Sequence, residues 1–188
     1  MENMPPKSVY RHASEAGPVV ALPLLVAAAS VLLVNKFSAI TILMIPALVS
    51  VPFLLYRLMG RLASSGAGYG TYWPLWLFGI YSFIFATLIC ALASALYLVF
   101  IEPAFIETYF HNALRGLEAV SGQSGAPDFS TQIEVFRSAI ERRMLPSSME
   151  LVASMSWLSA FGGAVLSAVV ARVFVTLKAR RDRVAAMP

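Results

Sequence analysis

Tyr72–Ile101 reads YWPLWLFGIYSFIFATLICALASALYLVFI. It holds no charged residue, and an apolar run of that length is a membrane span rather than a strand or core helix of a soluble domain. Aromatics crowd its first half (Tyr72, Trp73, Trp76, Phe78, Tyr81, Phe83 and Phe85), and small residues its second (Ala86, Cys90, Ala91, Ala93, Ser94 and Ala95). As a helix rising 1.5 Å per residue it reaches ~45 Å, against a hydrocarbon core of ~30 Å, so the excess is taken up by tilt or by projection beyond the bilayer. Glu102 and Pro103 mark its exit.

The rest of the chain agrees with that reading. Of 188 residues, 59% are hydrophobic and 13% charged, with mean hydropathy +0.74. Soluble domains carry about 25% charged residues. The net charge of +4 comes from bases beside apolar runs, which orientation in a bilayer explains better than nucleic-acid binding. The single cysteine, Cys90, excludes an intramolecular disulfide and a cysteine-based metal cluster. At mid-span it acts as a small hydrophobe.

Three further spans are expected. The first is about residues 17–34; Pro18 suits a helix start and Pro23 kinks or loosens the first turns. A short interfacial helix over Ser8–Ala16 precedes it, and the basic start is read as part of a retained first helix rather than a cleaved signal. Asn35 and Lys36 make the turn into the second span, about 37–59, with Pro46 and Pro52 inside it. Prolines are common in membrane helices, and no charge accompanies these two within the bilayer. A linker with Gly66, Gly68 and Gly70 leads to the third span, 72–101; it lacks the strand and helix that a phosphate-cradling loop requires. The fourth span is about 149–171, continuing helically to Lys178, with Ser147 and Glu150 as a capping box and a frayed polar tail at 179–188.

Residues 103–148 form the one sizeable segment outside the bilayer, an amphipathic helical pair. Phe105, Ile106, Tyr109, Phe110, Ala113, Leu114 and Leu117 recur at helical spacing in the first helix. Ser121–Asp128 is a loop, and Thr131 with Glu134 forms a capping box for the second helix, whose stripe is Ile133, Phe136, Ile140 and Met144. The two stripes can pack on each other, lie on the membrane or dock on a partner. With four spans, nine Lys and Arg fall on the side of the termini and five on the other, which places both termini in the cytoplasm.

Two sets of residues stand out. Ser159, Gly163, Ser167 and Ala171 recur every four residues, a smooth stripe that allows close helix approach, and Ala86, Cys90 and Ser94 form a similar stripe on the third span. These two faces are expected to meet. On the external segment Glu107, His111, Arg115 and Glu118 share one polar helical face. Glu107 and His111 are two of the three ligands a catalytic zinc requires, so the face reads as solvated ion pairs. No ionisable residue lies at a span centre, which counts against a proton-coupled transporter or charge-gated channel. No catalytic, metal-binding or cofactor-binding residue is expected, and no cofactor.

The layout also resembles a bacterial four-helix membrane family catalogued as domain of unknown function forty-one ninety-nine. The resemblance is carried by SEAGPVVALPLL, by SGAGYGTYWPLWLFGIYSF running into the third span, and by the exit YLVFIEPAFIETYF. Its most specific part is Gly70–Phe105. It implies an inner-membrane protein and supplies no functional residues.

The resulting expectation is an all-α integral membrane protein of the bacterial inner membrane, a non-enzymatic subunit or accessory factor of a cell-envelope complex. Its partners are the lipid bilayer and a membrane-protein partner or further copies of itself, not nucleic acid. The alternatives are a small homo-oligomeric transporter or channel, suggested by the prolines and by Thr41, Ser50, Thr87 and Ser94, and a membrane enzyme with an external site around Glu107 and His111.

Overall fold

A computed structural model describes residues 8–66, 68–121, 129–142 and 144–185. Among the described residues the secondary structure is helical throughout, with no strand. The helices are α1 (Val9–Leu32), α2 (Met44–Ser64), α3 (Tyr72–Leu96), α4 (Phe105–Ser121), α5 (Ser130–Glu141) and α6 (Ser148–Ala185). A 3₁₀ segment, Ser38–Leu43, precedes α2, and a π-helical turn, Tyr97–Ile101, ends α3.

The helix boundaries follow from local chemistry. Ser8 caps α1 by accepting a hydrogen bond from the Arg11 amide at 3.3 Å. The helix then runs unbroken through Pro18 and Pro23. The short helix expected at Ser8–Ala16 and the first span are therefore one element, and Pro18 lies inside it rather than at its start. Ahead of α2 the chain is 3₁₀. Pro46 has no N–H to offer the carbonyl four residues back, so the tighter turn serves where an α-turn would lose its bond. At the other end of α3, the Glu102 amide reaches back five residues to the Tyr97 carbonyl at 3.0 Å. Pro103 biases Glu102 towards extended backbone, and its φ of −141° ends the helix there.

The capping box of α6 forms in both directions: the Ser147 amide donates to Glu150 at 2.7 Å and the Glu150 amide to Ser147 Oγ at 3.2 Å. The helix then continues past Lys178 to Ala185, because KARRDRVA is rich in good helix formers. No such box forms at Thr131. Helix α5 starts one residue earlier, from Phe129, without a side-chain cap. Residues 122–128 of the expected loop lie outside the described residues.

The four long helices form a ring in the order α1, α3, α6, α2, with α1 and α6 across one diagonal. Between membrane helices the drive is close packing rather than expulsion of water. Gly17 of α1 lies against Phe85 of α3, Gly79 of α3 against Ser167 of α6, and Gly163 of α6 against Phe83 of α3. Val20, Leu55, Met59, Leu75, Phe78 and Ala171 fill the centre. Among the described residues the buried polar side chains are Ser30, Ser82, Thr87 and Ser167. The three serines donate to the carbonyl four residues back in their own helices, so they satisfy themselves without holding the bundle together.

The bundle has two distinct ends. At one, His12 of α1 meets Tyr69 of the α2–α3 loop, and Lys178 of α6 lies over Gly70. At the other, Leu98, Phe105 and Ile106 form a second apolar cluster with Leu32, Phe110, Leu145, Leu151 and Val152. This collar seats α4 on the end of the bundle. Helix α5 packs back on α4, with Phe110 and Phe136 ring centroids 5.6 Å apart and Arg137 2.8 Å from Glu118. The two apolar stripes therefore cover each other in part, and that of α4 closes over the end of the bundle.

Candidate functional site

The richest polar constellation lies where α1, α3 and α4 meet at the hairpin end. Asn35 and Lys36 follow α1 in a turn closed by the Lys36 amide on the Leu33 carbonyl at 3.0 Å. Glu102 leaves α3 through the π-turn. These residues are far apart in sequence, yet the Lys36 ammonium lies 3.4 Å from Glu102 Oε2. The Tyr97 hydroxyl donates to the same oxygen at 2.6 Å, and Lys36 Nζ sits 6.0 Å from the Tyr97 ring centroid. Asn112 of α4 donates to Asn35 Oδ1 at 3.2 Å, tying the hairpin to the turn. Asn35 Nδ2 is buried and has no hydrogen-bond partner among the described residues.

Burial divides the work. The Glu102 side chain is 16% exposed and that of Lys36 47%. The short phenol–carboxylate bond is shielded, while the ion pair is half in solvent and correspondingly weaker. Glu102, by hydrogen bonding and by Coulomb attraction, raises the Lys36 pKa above its ordinary 10.5. A raised folded-state value stabilises the fold fully below the ordinary lysine pKa and is lost as pH rises through the raised value. The Lys36 contribution is therefore intact at neutral pH and disappears only in strong alkali. Thermal unfolding in mild detergent should show wild type and Lys36→Met converging at such pH while remaining apart at pH 8.

The arrangement is a latch. One carboxylate joins the α1–α2 turn to the exit of α3, and an amide pair joins that turn to α4. The π-turn supplies the geometry, since its extra residue returns the Glu102 carboxylate to Tyr97; such turns are frequent at functional sites.

The residues singled out from sequence fall into two groups. On α6, Gly163 and Ser167 meet α3, Ser159 shares a 3.2 Å hydrogen bond with Thr87, and Ala171 is buried in the core. Their partners on α3 are Gly79, Phe83 and Thr87, together with Trp76, whose indole donates to the Ala164 carbonyl at 3.2 Å. Ala86 is buried, but Cys90 directs its Sγ to the Ala21 carbonyl of α1 at 3.8 Å, and Ser94 lines a groove against α1. The second half of α3 thus turns its small residues mainly to α1. On α4, Glu107, His111 and Arg115 are exposed, and Glu118 is engaged by Arg137. Among the described residues, no group of three or more His, Cys, Asp or Glu side chains is placed to hold a metal ion.

Sequence reading missed Asn35, Lys36, Tyr97, Glu102 and Asn112 as a unit. One signal was present: Lys36 and Glu102 are opposite charges at the ends of two spans expected to emerge on the same side.

Four helical stretches, Val9–Leu32, Ala39–Ser64, Tyr72–Ile101 and Ser148–Ala185, are long and apolar enough to cross a membrane. With no strand among the described residues, the class they define is the polytopic α-helical membrane protein. A family model described as a protein of unknown function (DUF4199) matches residues 19–176, most of the chain and the whole of the latch, and the chain belongs to that family. No curated protein and no solved structure matches it.

Proposed function

We propose that this protein is a non-enzymatic subunit or accessory factor of a cell-envelope complex, resident in the bacterial inner membrane with both termini in the cytoplasm. The observation that carries this reading is the α4–α5 hairpin, seated on one end of the bundle by an apolar collar and tied to it through Asn112 and Asn35. Such an element can serve as a platform. It leaves Tyr109, Val120 and Val135 exposed among charged residues, a mixture suited to a protein partner. The bundle beneath supports the same role, since its buried serines are bonded to their own helices.

The test is isolation in mild detergent after photo-crosslinking from position 109 or 135. A discrete crosslinked partner, its crosslink from position 109 lost when Val135→Glu is introduced, is the expected result. Crosslinks to lipid alone from both positions, together with an unchanged complement of envelope complexes on deletion, would remove the proposal.

A further inference from the structure

Beside the latch runs a groove of about 160 Å³ lined by α1 and α3 alone. Ala28, Ala29, Ala93 and Ser94 keep it open by being small, and Leu25, Leu32 and Leu33 make it apolar. An apolar cavity of about 150 Å³ accommodates a benzene-sized hydrocarbon. The groove follows α1 towards Leu33, and Asn35 and Lys36 lie two and three residues further along the chain. Tyr97 belongs to both features, lining the groove and carrying Lys36 at its ring.

The chemistry at Lys36 is that of an anion site. A lysine ammonium has three N–H donors, and Glu102 approaches it from one side. The remainder of the ammonium is half exposed, just beyond the end of the first apolar helix. On the neighbouring residue, Asn35 Nδ2 is a buried donor with no acceptor among the described residues, a rare state that calls for a cause. A phosphodiester supplies acceptor oxygens for these donors, and its ester-linked tails supply hydrocarbon for the groove. A free phosphate matches only the first half, and a plain hydrocarbon only the second.

We propose that the α1–α3 groove binds a short segment of one acyl chain of a bilayer phospholipid whose phosphate is held by Lys36. The lipid belongs to the leaflet on the side of the α4–α5 hairpin. Bound there, it covers the seam between α1 and α3 next to the latch and fastens the turn at Lys36 to the bilayer. This rests on the membrane reading of the four long helices and is independent of the accessory role.

The experiment is native mass spectrometry of the full chain, delipidated in mild detergent and titrated with phosphatidylglycerol. Wild type should retain one phospholipid per chain. Lys36→Gln should weaken retention at least tenfold, and Ala29→Phe, which fills the groove, should abolish it. Diacylglycerol, which lacks the phosphate, should bind wild type no better than phosphatidylglycerol binds Lys36→Gln. Lys178→Gln, at the opposite end of the bundle, should bind as wild type does. Should Ala29→Phe disturb the packing of α1 on α3, the comparison of Lys36→Gln with Lys178→Gln decides alone. Equal retention by those two variants, or binding of inorganic phosphate in place of the lipid, overturns the proposal.

Discussion

Gly163→Ala is expected to destabilise the bundle by about 1–3 kcal/mol, the usual cost of overpacking, while Gly162→Ala one position away leaves it unchanged or slightly more stable. A Cβ on Gly163 would collide with Phe83, and the atoms it meets include that residue's own Cβ at 2.8 Å rather than the far end of a flexible chain. Relief therefore requires α3 and α6 to move apart, and the Gly79–Ser167 contact and the Thr87–Ser159 bond lie on the same seam. A Cβ on Gly162 meets nothing within 4 Å, and alanine is the better helix former by up to ~1 kcal/mol. Denaturation in mild detergent gives both values. Phe83→Ala combined with Gly163→Ala should be less damaging than the sum of the two, by roughly 0.5–3 kcal/mol, because the pair shares one space. Equal effects at positions 162 and 163 would mean that α3 and α6 do not meet on this face.

The second large effect is expected at Glu102. Glu102→Ala removes the acceptor for Tyr97 and the partner of Lys36 together, and leaves a phenol poorly satisfied in a half-buried site. Hydrogen bonds to charged groups contribute about 1.5–3 kcal/mol, so a loss in that range is expected. Lys36→Met should cost clearly less than Glu102→Ala, since its ammonium is half in solvent. Tyr97→Phe should fall between them. The readout is unfolding in detergent together with limited proteolysis of the α4–α5 hairpin, which the turn at Asn35 helps to hold through Asn112. If Lys36→Met proves as damaging as Glu102→Ala, the ion pair and not the phenol holds the latch.

The long apolar helices were legible because each is a continuous stretch, and hydropathy is a local property. The α6 stripe was legible for the same reason: Ser159, Gly163, Ser167 and Ala171 repeat every four residues on one element. Its partner surface was harder to read. A rule that pairs small residue with small residue favours Ala86, Cys90 and Ser94, but a glycine notch also accepts a large knob, and here Phe83 fills the notch at Gly163. Which aromatic plays that part depends on the rotation of α3, which its nearly uniform apolarity leaves unspecified. The start of α1 was harder to place because Pro18 suits a helix start, which splits Ser8–Ala16 from the span, whereas the helix runs through it; on α6, polar residues such as Arg180 mark only the edge of the apolar part and not of the helix. The latch was invisible as a unit. Lys36 reads as a turn and Glu102 as a helix exit, and only the parallel packing of α1 on α3 brings them within 3.4 Å.

The most direct measurement is side-specific labelling of single cysteines introduced at Glu107 on α4 and Arg183 on α6, in a Cys90→Ala background, with a membrane-impermeant maleimide. The four-span bundle with α4 and α5 opposite the termini, together with the proposed cytoplasmic placement of the termini, predicts that Glu107→Cys reacts in intact cells and Arg183→Cys only after lysis. Reaction of both from the same side would mean that α6 does not cross the membrane, and would contradict the placement on which the platform and the latch depend.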